Sequence, residues 1–185
     1  MIAINNSLPA FNFNNQPQIY VACLAAYNNG RLHGIWIDAT QEVEEISKKV
    51  SLMLAKSSEP GAEKYVIYDQ KELYDLEIEK DESIEDIQEK ALFIVEHGEL
   101  GTKLLNYYRG NLEHAQEAME PYGYYHGEYE SELDYATEFF DETYLPEVPT
   151  PACFYIAYDR FKRDIFINDF FSIEVGGKKH IFSRH

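Results

Sequence analysis

The sequence predicts an α+β protein of short antiparallel sheets plus helices, arranged in segregated blocks. Three observations predict it. Apolar stretches of strand length cluster near the two ends of the chain, amphipathic stretches at helical spacing fill the middle, and the repeated strand–helix–strand alternation of a parallel sheet is missing. With 185 residues, 45% hydrophobic, the chain is long enough to bury a core as one large domain or as two or three small ones.

Residues 18–24 read as a first strand, followed by the turn Asn28-Asn29-Gly30-Arg31 and a second strand over 32–38. Thr40 is placed to cap a helix from Gln41 to about Lys56, with Val43, Ile46, Val50 and Leu54 on its apolar side. A third strand, Tyr65 to Tyr68, completes a small sheet covered by one helix. Ser83 then caps a helix over 83–95 with Ile84, Ile87, Ala91 and Ile94 facing inward, and Gly98 suits its end. A further helix or pair covers 100–120, and Pro121 with Gly123 stops it. Ser131 caps a helix over 132–142. The stretch 145–151, with three prolines, is a stiff connector. A short apolar run at 153–158, a helix around 159–167, a strand from Phe170 to Val175, the turn Gly176-Gly177 and a last strand over 178–182 finish the chain.

Charge is the outstanding feature. The net charge is −17, and 15 Tyr with 11 Phe separate the chain from acidic disordered sequences, which are poor in aromatics. The charge is placed rather than spread: −8 over residues 1–109, −12 over 110–159 and +3 over 160–185. Between Arg109 and Arg160 there are twelve Asp or Glu and neither Lys nor Arg. Such a chain repels nucleic acid and anionic membranes and attracts basic proteins. Cys23 and Cys153 sit in apolar, strand-like runs and read as buried free thiols of a cytosolic protein. Residues 1–17, rich in Asn and Pro, lack the basic start and long apolar run of a signal peptide and read as a loose extension. No apolar run reaches membrane-spanning length.

The acids fall into register. Glu113, Glu117 and Glu120 share one helical face, opposite Leu112, Ala115 and Met119. Glu130, Asp134, Glu138 and Asp141 form a second stripe, with Glu128, Glu132 and Glu142 beside it. At about 1.5 Å rise per residue, successive stripe members are roughly 4.5–6 Å apart along the axis. B-DNA carries one phosphate charge per about 3.4 Å of each strand, a density that such stripes, widened by neighbouring segments and a second subunit, approximate. Two exposed carboxylates about 6 Å apart repel by roughly 0.7 kcal/mol before screening. Folding alone favours mixed signs on a helix face, so a basic partner is the reading that explains the segregation.

Enzymatic chemistry is weakly supported. Paired carboxylates among tyrosines open a glycoside hydrolase reading, but nothing marks two of the many acids as special. His114 with Glu117, and His126 with Glu128, are possible metal-ligand pairs, yet neither is a complete set. His33, His97, His180 and His185 show no partner spacing, and the single Gly-Gly pair is no phosphate loop. No catalytic residue, metal or cofactor is assigned.

The segment YVACLAAYNNGRLHGIWIDA (20–39) resembles the N-terminal signature of the ArdA antirestriction proteins. YHGEYESELDYA (125–136) resembles that family's antirestriction motif, and RDIFINDFFSIE (163–174) its C-terminal segment, so the likeness runs over roughly 18–183. Tyr135 stands where the family pattern leads one to expect Phe. The resemblance implies a non-enzymatic inhibitor of type I restriction-modification enzymes that imitates B-form DNA, occupies their DNA-binding groove and travels on mobile elements. It also implies three small domains in a row, read here as 18–78, 79–122 and 123–185, in an elongated homodimer.

Within the motif, Tyr125 and Tyr129 are expected to pack, Gly127 to permit a tight backbone, Ser131 to cap, and Glu128 to face the partner. Ile165, Phe166, Ile167, Phe170 and Phe171 are candidates for the dimer contact. The basic residues Arg160, Lys162, Arg163, Lys178, Lys179 and Arg184 are expected to pair within the chain or between subunits. An acidic binder of another basic protein, such as a nucleoid protein or a repressor, is the alternative class.

Overall fold

The structure is a computed structural model that describes residues 16–73, 76, 78–79, 82–121 and 123–184. The expected N-terminal extension lies outside the described residues except for its last two positions. Of those, Pro17 already belongs to the first sheet unit, since its carbonyl accepts a hydrogen bond from the Ala39 amide at 2.9 Å. His185 also lies outside them. The chain divides into two compact units, one ending at Leu112 and the other Glu113–His185.

The first unit holds a three-stranded antiparallel sheet in the order β2-β1-β3, from β1 (Gln18–Cys23), β2 (Gly34–Asp38) and β3 (Tyr65–Lys71). β1 is central, and Ile19 and Val21 are fully buried against the helix α2 (Val43–Ala55) through Ile46, Val50 and Met53. A single helical turn, α1 (Leu24–Asn28), precedes the tight turn and ends the first strand one residue early. Its Ala-Ala pair favours helix over continued strand.

Thr40 does not cap α2. Its amide and hydroxyl both bond Asp38 Oδ1, at 2.9 and 2.6 Å, and the helix begins at Val43 behind Glu42. The helix starts two residues later than a Thr40 cap requires, and the hydroxyl donates to Asp38 in a local turn instead.

The helical run α3 (Ile84–Tyr107) starts as expected, with Ser83 Oγ accepting from the Asp86 amide at 3.0 Å. It is two helices joined at Gly98, whose φ of +60° and ψ of −143° suit a residue without Cβ. Ile84, Ile87, Ala91 and Ile94 are buried in the first part, and Leu100, Leu104 and Leu105 in the second.

The second unit contains α4 from Glu113 onward (α4 spans Leu112–Met119), β4 (Tyr125–Tyr129) and α5 (Glu132–Thr143). Two 3₁₀ stretches (Leu145–Glu147 and Thr150–Tyr155), α6 (Tyr158–Asn168), β5 (Phe170–Val175) and β6 (Lys178–Ser183) follow. Its sheet has the order β4-β6-β5, all antiparallel. Tyr135, Ala136, Ile165, Phe170 and Ile181 form the core, with Tyr129, Phe139, Phe161 and Phe166 packed around it. Aromatic side chains do most of the filling; Tyr135 alone has ring neighbours in Phe139, Phe166 and Phe170 at 5.1–6.1 Å.

The apolar run at 153–158 is no strand. Pro149 and Pro151 remove two amides and favour a 3₁₀ start, so the segment turns instead of pairing. Cys153 is therefore only half-buried, while Cys23 is buried as expected; both are free thiols.

Candidate partner-binding surface

The acidic stretch is carried by three elements. On α4, a helix held by the buried Ala115 and Ala118, the side chains of Glu113, Glu117 and Glu120 are exposed on the other side. Glu120 lies just past the last helical residue, where Gly123 turns the chain tightly enough that an added Cβ would sit 2.5 Å from the Glu117 carbonyl. Among the described residues, no hydrogen bond or ion pair engages these three carboxylates.

β4 carries the motif. Tyr125, Gly127 and Tyr129 are half-buried and alternate with exposed His126 and Glu128, but the rings divide between two faces: Tyr125 lies against His180 and Phe182, whereas His126 and Tyr129 lie against Tyr135. The strand pairs with β6 and shifts register between Tyr125 and Gly127. Gly127 has φ +111° there, so the bulge needs glycine. The Tyr125 hydroxyl bonds His180 Nδ1 at 2.7 Å, and burial, with Glu128 and Tyr129 nearby, pushes the phenol up to about 12. Glu128 stays exposed with His180 Nε2 at 3.9 Å. Burial lowers His180 and Glu128 raises it, burial being the larger effect.

α5 holds the second stripe. Ser131 caps it, accepting from the Asp134 amide at 3.2 Å while its hydroxyl donates to Asp134 Oδ2 at 2.8 Å. Glu130 precedes the helix and is not part of a helical stripe; it is bound by Lys178. Glu132 accepts from Ser172 at 2.7 Å and is half-buried. Glu138 accepts from the Tyr129 hydroxyl at 3.4 Å, and half-buried Asp141 from the Tyr158 hydroxyl. Burial raises Tyr129, and the charges of Glu138 and Glu142 add to it. Glu142 is exposed.

The ten acids thus fall into two groups. Glu113, Glu117, Glu120 and Glu142 are open, whereas Glu130, Glu132, Asp134, Glu138 and Asp141 are tied to the fold and Glu128 leans on a histidine. Asp134 is held by its own helix cap Ser131 and Glu138 by Tyr129 on β4, but the other ties come from distant elements that sequence spacing does not record: Lys178 and His180 on β6, Ser172 on β5 and Tyr158 on α6. Only the alternation of Tyr125, Gly127 and Tyr129 offered a signal for β4.

The five apolar candidates for a dimer contact are placed differently from expectation. Ile165 and Phe170 are buried in this unit's core, Phe171 is buried and Phe166 is half-buried, which leaves of the five only Ile167, 64% exposed, open to another chain. The helix and strand that carry the other four close the unit's own core. Among the described residues the most exposed large apolar side chains are Phe154 and Tyr155, each 87% exposed. Four of the six C-terminal cations pair inside the unit: Arg163 with Asp164 at 3.5 Å, Lys178 with Glu130, Lys179 with Glu174 at 2.6 Å, and Arg184 with the Phe170 carbonyl at 3.1 Å.

No group of three or more His, Cys, Asp or Glu among the described residues could hold a metal ion, so His114–Glu117 and His126–Glu128 remain pairs. Among them, too, no helix is long and apolar enough to cross a membrane. No match is found among curated proteins. The family model described as antirestriction protein, ArdA, matches residues 19–179, nearly the whole of the chain. The chain belongs to the ArdA family of antirestriction proteins.

Proposed function

We propose that this protein inhibits type I restriction-modification enzymes by imitating B-form DNA, with the acidic surface of residues 113–142 occupying the groove that otherwise holds DNA. The observation that carries this reading is the row of open carboxylates at Glu113, Glu117 and Glu120, within a stretch of net charge −12. DNA-binding grooves draw much of their affinity from Lys and Arg contacts to phosphates, so many modest negative contacts serve better than one strong one. The tied acids add to the field, except Glu130, which Lys178 largely cancels.

Inhibition on this reading is stoichiometric, without turnover or cofactor, and takes place in the bacterial cytoplasm. The inhibitor itself binds neither nucleic acid nor membrane. We further propose that 18–78, 79–122 and 123–185 act as three small domains in a row and that two chains associate, which doubles the acidic surface. The open apolar side chains Phe154, Tyr155 and Ile167 are the candidates for that contact.

Competition with DNA for a purified type I methyltransferase tests the reading. DNA is expected to be displaced at an inhibitor concentration stoichiometric with enzyme, with and without EDTA pretreatment of the inhibitor, and less well as salt rises. Inactivation at substoichiometric inhibitor, or no displacement at low salt, would overturn it.

A further inference from the structure

The N-terminal signature segment has no part in the acidic surface, yet it builds a surface of its own. β1 and β2 bring Tyr20 and Trp36 directly opposite each other, and the rings stand 5.3 Å apart, edge to face. Tyr68 of β3 continues the row at 6.1 Å from Tyr20, and Tyr27 of α1 extends it at 5.7 Å from Tyr68. The opposite face of the sheet is the one that Ile19, Val21 and Ile37 bury beneath α2. The aromatic face is open: Trp36 is 36% exposed and Tyr68 49%. One cation already sits on it, with Lys71 Nζ 4.1 Å from the centre of the Trp36 ring. Asp69 stands opposite Tyr20 in the register and is exposed.

We propose that this face is a second contact surface for the basic protein partner, one that receives arginine and lysine side chains on its rings; it rests on the reading of that partner as basic. The faces of Trp and Tyr rings attract cations through their quadrupole, and Lys71 shows a ring of this sheet doing so within the chain. Edge-to-face contacts turn successive rings, so the row offers ring faces at several angles instead of one flat stack. Phosphate-bearing ligands are repelled by a chain of net charge −17, which argues against nucleobases as the occupants. The surface complements the acidic one chemically: carboxylates answer the charge of a guanidinium, and rings answer its flat, weakly hydrated faces.

Trp36 is the single tryptophan, so its emission reports on this face alone. The experiment titrates the full chain with an octa-arginine peptide in moderate salt and follows Trp36 emission. A saturable change is expected, and it persists in the Glu113→Gln/Glu117→Gln/Glu120→Gln/Glu142→Gln variant. Lys71→Met, which vacates the ring, strengthens the response about two- to five-fold, while Tyr68→Leu weakens it by a similar factor. Lys48→Met, on the helix behind the sheet, makes the same charge change and leaves the response near that of the parent. Melting temperatures check that each variant is folded. Trp36 emission indifferent to the peptide would overturn the proposal, as would an emission that changes with protein concentration alone, because a second copy would then occupy the face. Equal effects of Lys71→Met and Lys48→Met would overturn it as well. A chain that answers octa-arginine at Trp36 but displaces no DNA from the methyltransferase sinks the proposed function and leaves this face standing; the reverse result sinks this face alone.

Discussion

The hydroxyl of Tyr125 lies 2.7 Å from Nδ1 of His180, joining the motif strand to the central strand of its sheet. The phenol is the donor when it faces a bare imidazole nitrogen, which leaves the ring proton on Nε2, the nitrogen 3.9 Å from Glu128. Burial holds the His180 pKa below its ordinary 6.5. A histidine harder to protonate in the fold than in the unfolded chain costs nothing above that ordinary value. It destabilises as pH falls through 6.5 toward the lower folded value, because the unfolded state then binds more protons. Stability measured by urea is therefore expected to decline from pH 7.5 to 5.5, and His180→Gln to flatten that slope. An equal slope in the variant would remove His180 from the account.

Tyr135 is buried in the aromatic core, and its hydroxyl has no hydrogen-bond partner among the described residues. A buried hydroxyl left unpaired costs about 1–3 kcal/mol, and replacing it by hydrogen in place recovers part of this. Tyr135→Phe is expected to stabilise the protein by about 1 kcal/mol in thermal or urea unfolding. A loss of stability would mean that the hydroxyl has a partner.

Gly127 shapes the bulge that lets β4 pair with β6. At φ +111° a Cβ is strained even though no atom lies nearer to it than the Tyr129 ring at 3.8 Å. Gly127→Ala is expected to cost about 1–3 kcal/mol by chain strain alone. Near-UV circular dichroism of the folded variant should keep the aromatic signal of the parent. An unchanged melting temperature would contradict the strain.

Much of this fold was legible in the sequence. Apolar periodicity located α2, both parts of α3 and the β5–β6 hairpin, and Ser83 and Ser131 marked helix starts, each accepting from the amide three residues on. Thr40 misled because α2 begins at Val43, two residues past where a Thr40 cap would start it, and the Thr40 hydroxyl turns back to Asp38. The run at 153–158 misled because composition suggested a strand while Pro149 and Pro151 denied it the ladder. The acids were countable, but which of them are open was not. Lys178 is 48 residues from Glu130 along the chain, and Ser172 is 40 from Glu132, so no local pattern records those bonds.

Phe154 and Tyr155 are too exposed to serve the core of their own unit. If they join two chains, Phe154→Ser with Tyr155→Ser should halve the mass seen by light scattering at micromolar concentration and leave the melting curve of a folded chain. A parent that is already monomeric at that concentration, or a double variant that keeps the parent's mass, would contradict the contact.

The central claim is that open carboxylates stand in for phosphates, and amide substitution tests it most directly. Single changes at Glu113, Glu117, Glu120 or Glu142 should each weaken binding to a type I methyltransferase by no more than about 1 kcal/mol, and losses at separated sites should roughly add. Glu130→Gln should do less than these, since Lys178 already opposes that charge. The decisive measurement is the dissociation constant of the quadruple amide variant across a salt series. The account predicts a folded protein of equal or greater stability, binding weakened by several kcal/mol in all, and a shallower dependence on salt. A folded quadruple variant that binds as tightly as the parent, with the same salt slope, would contradict it.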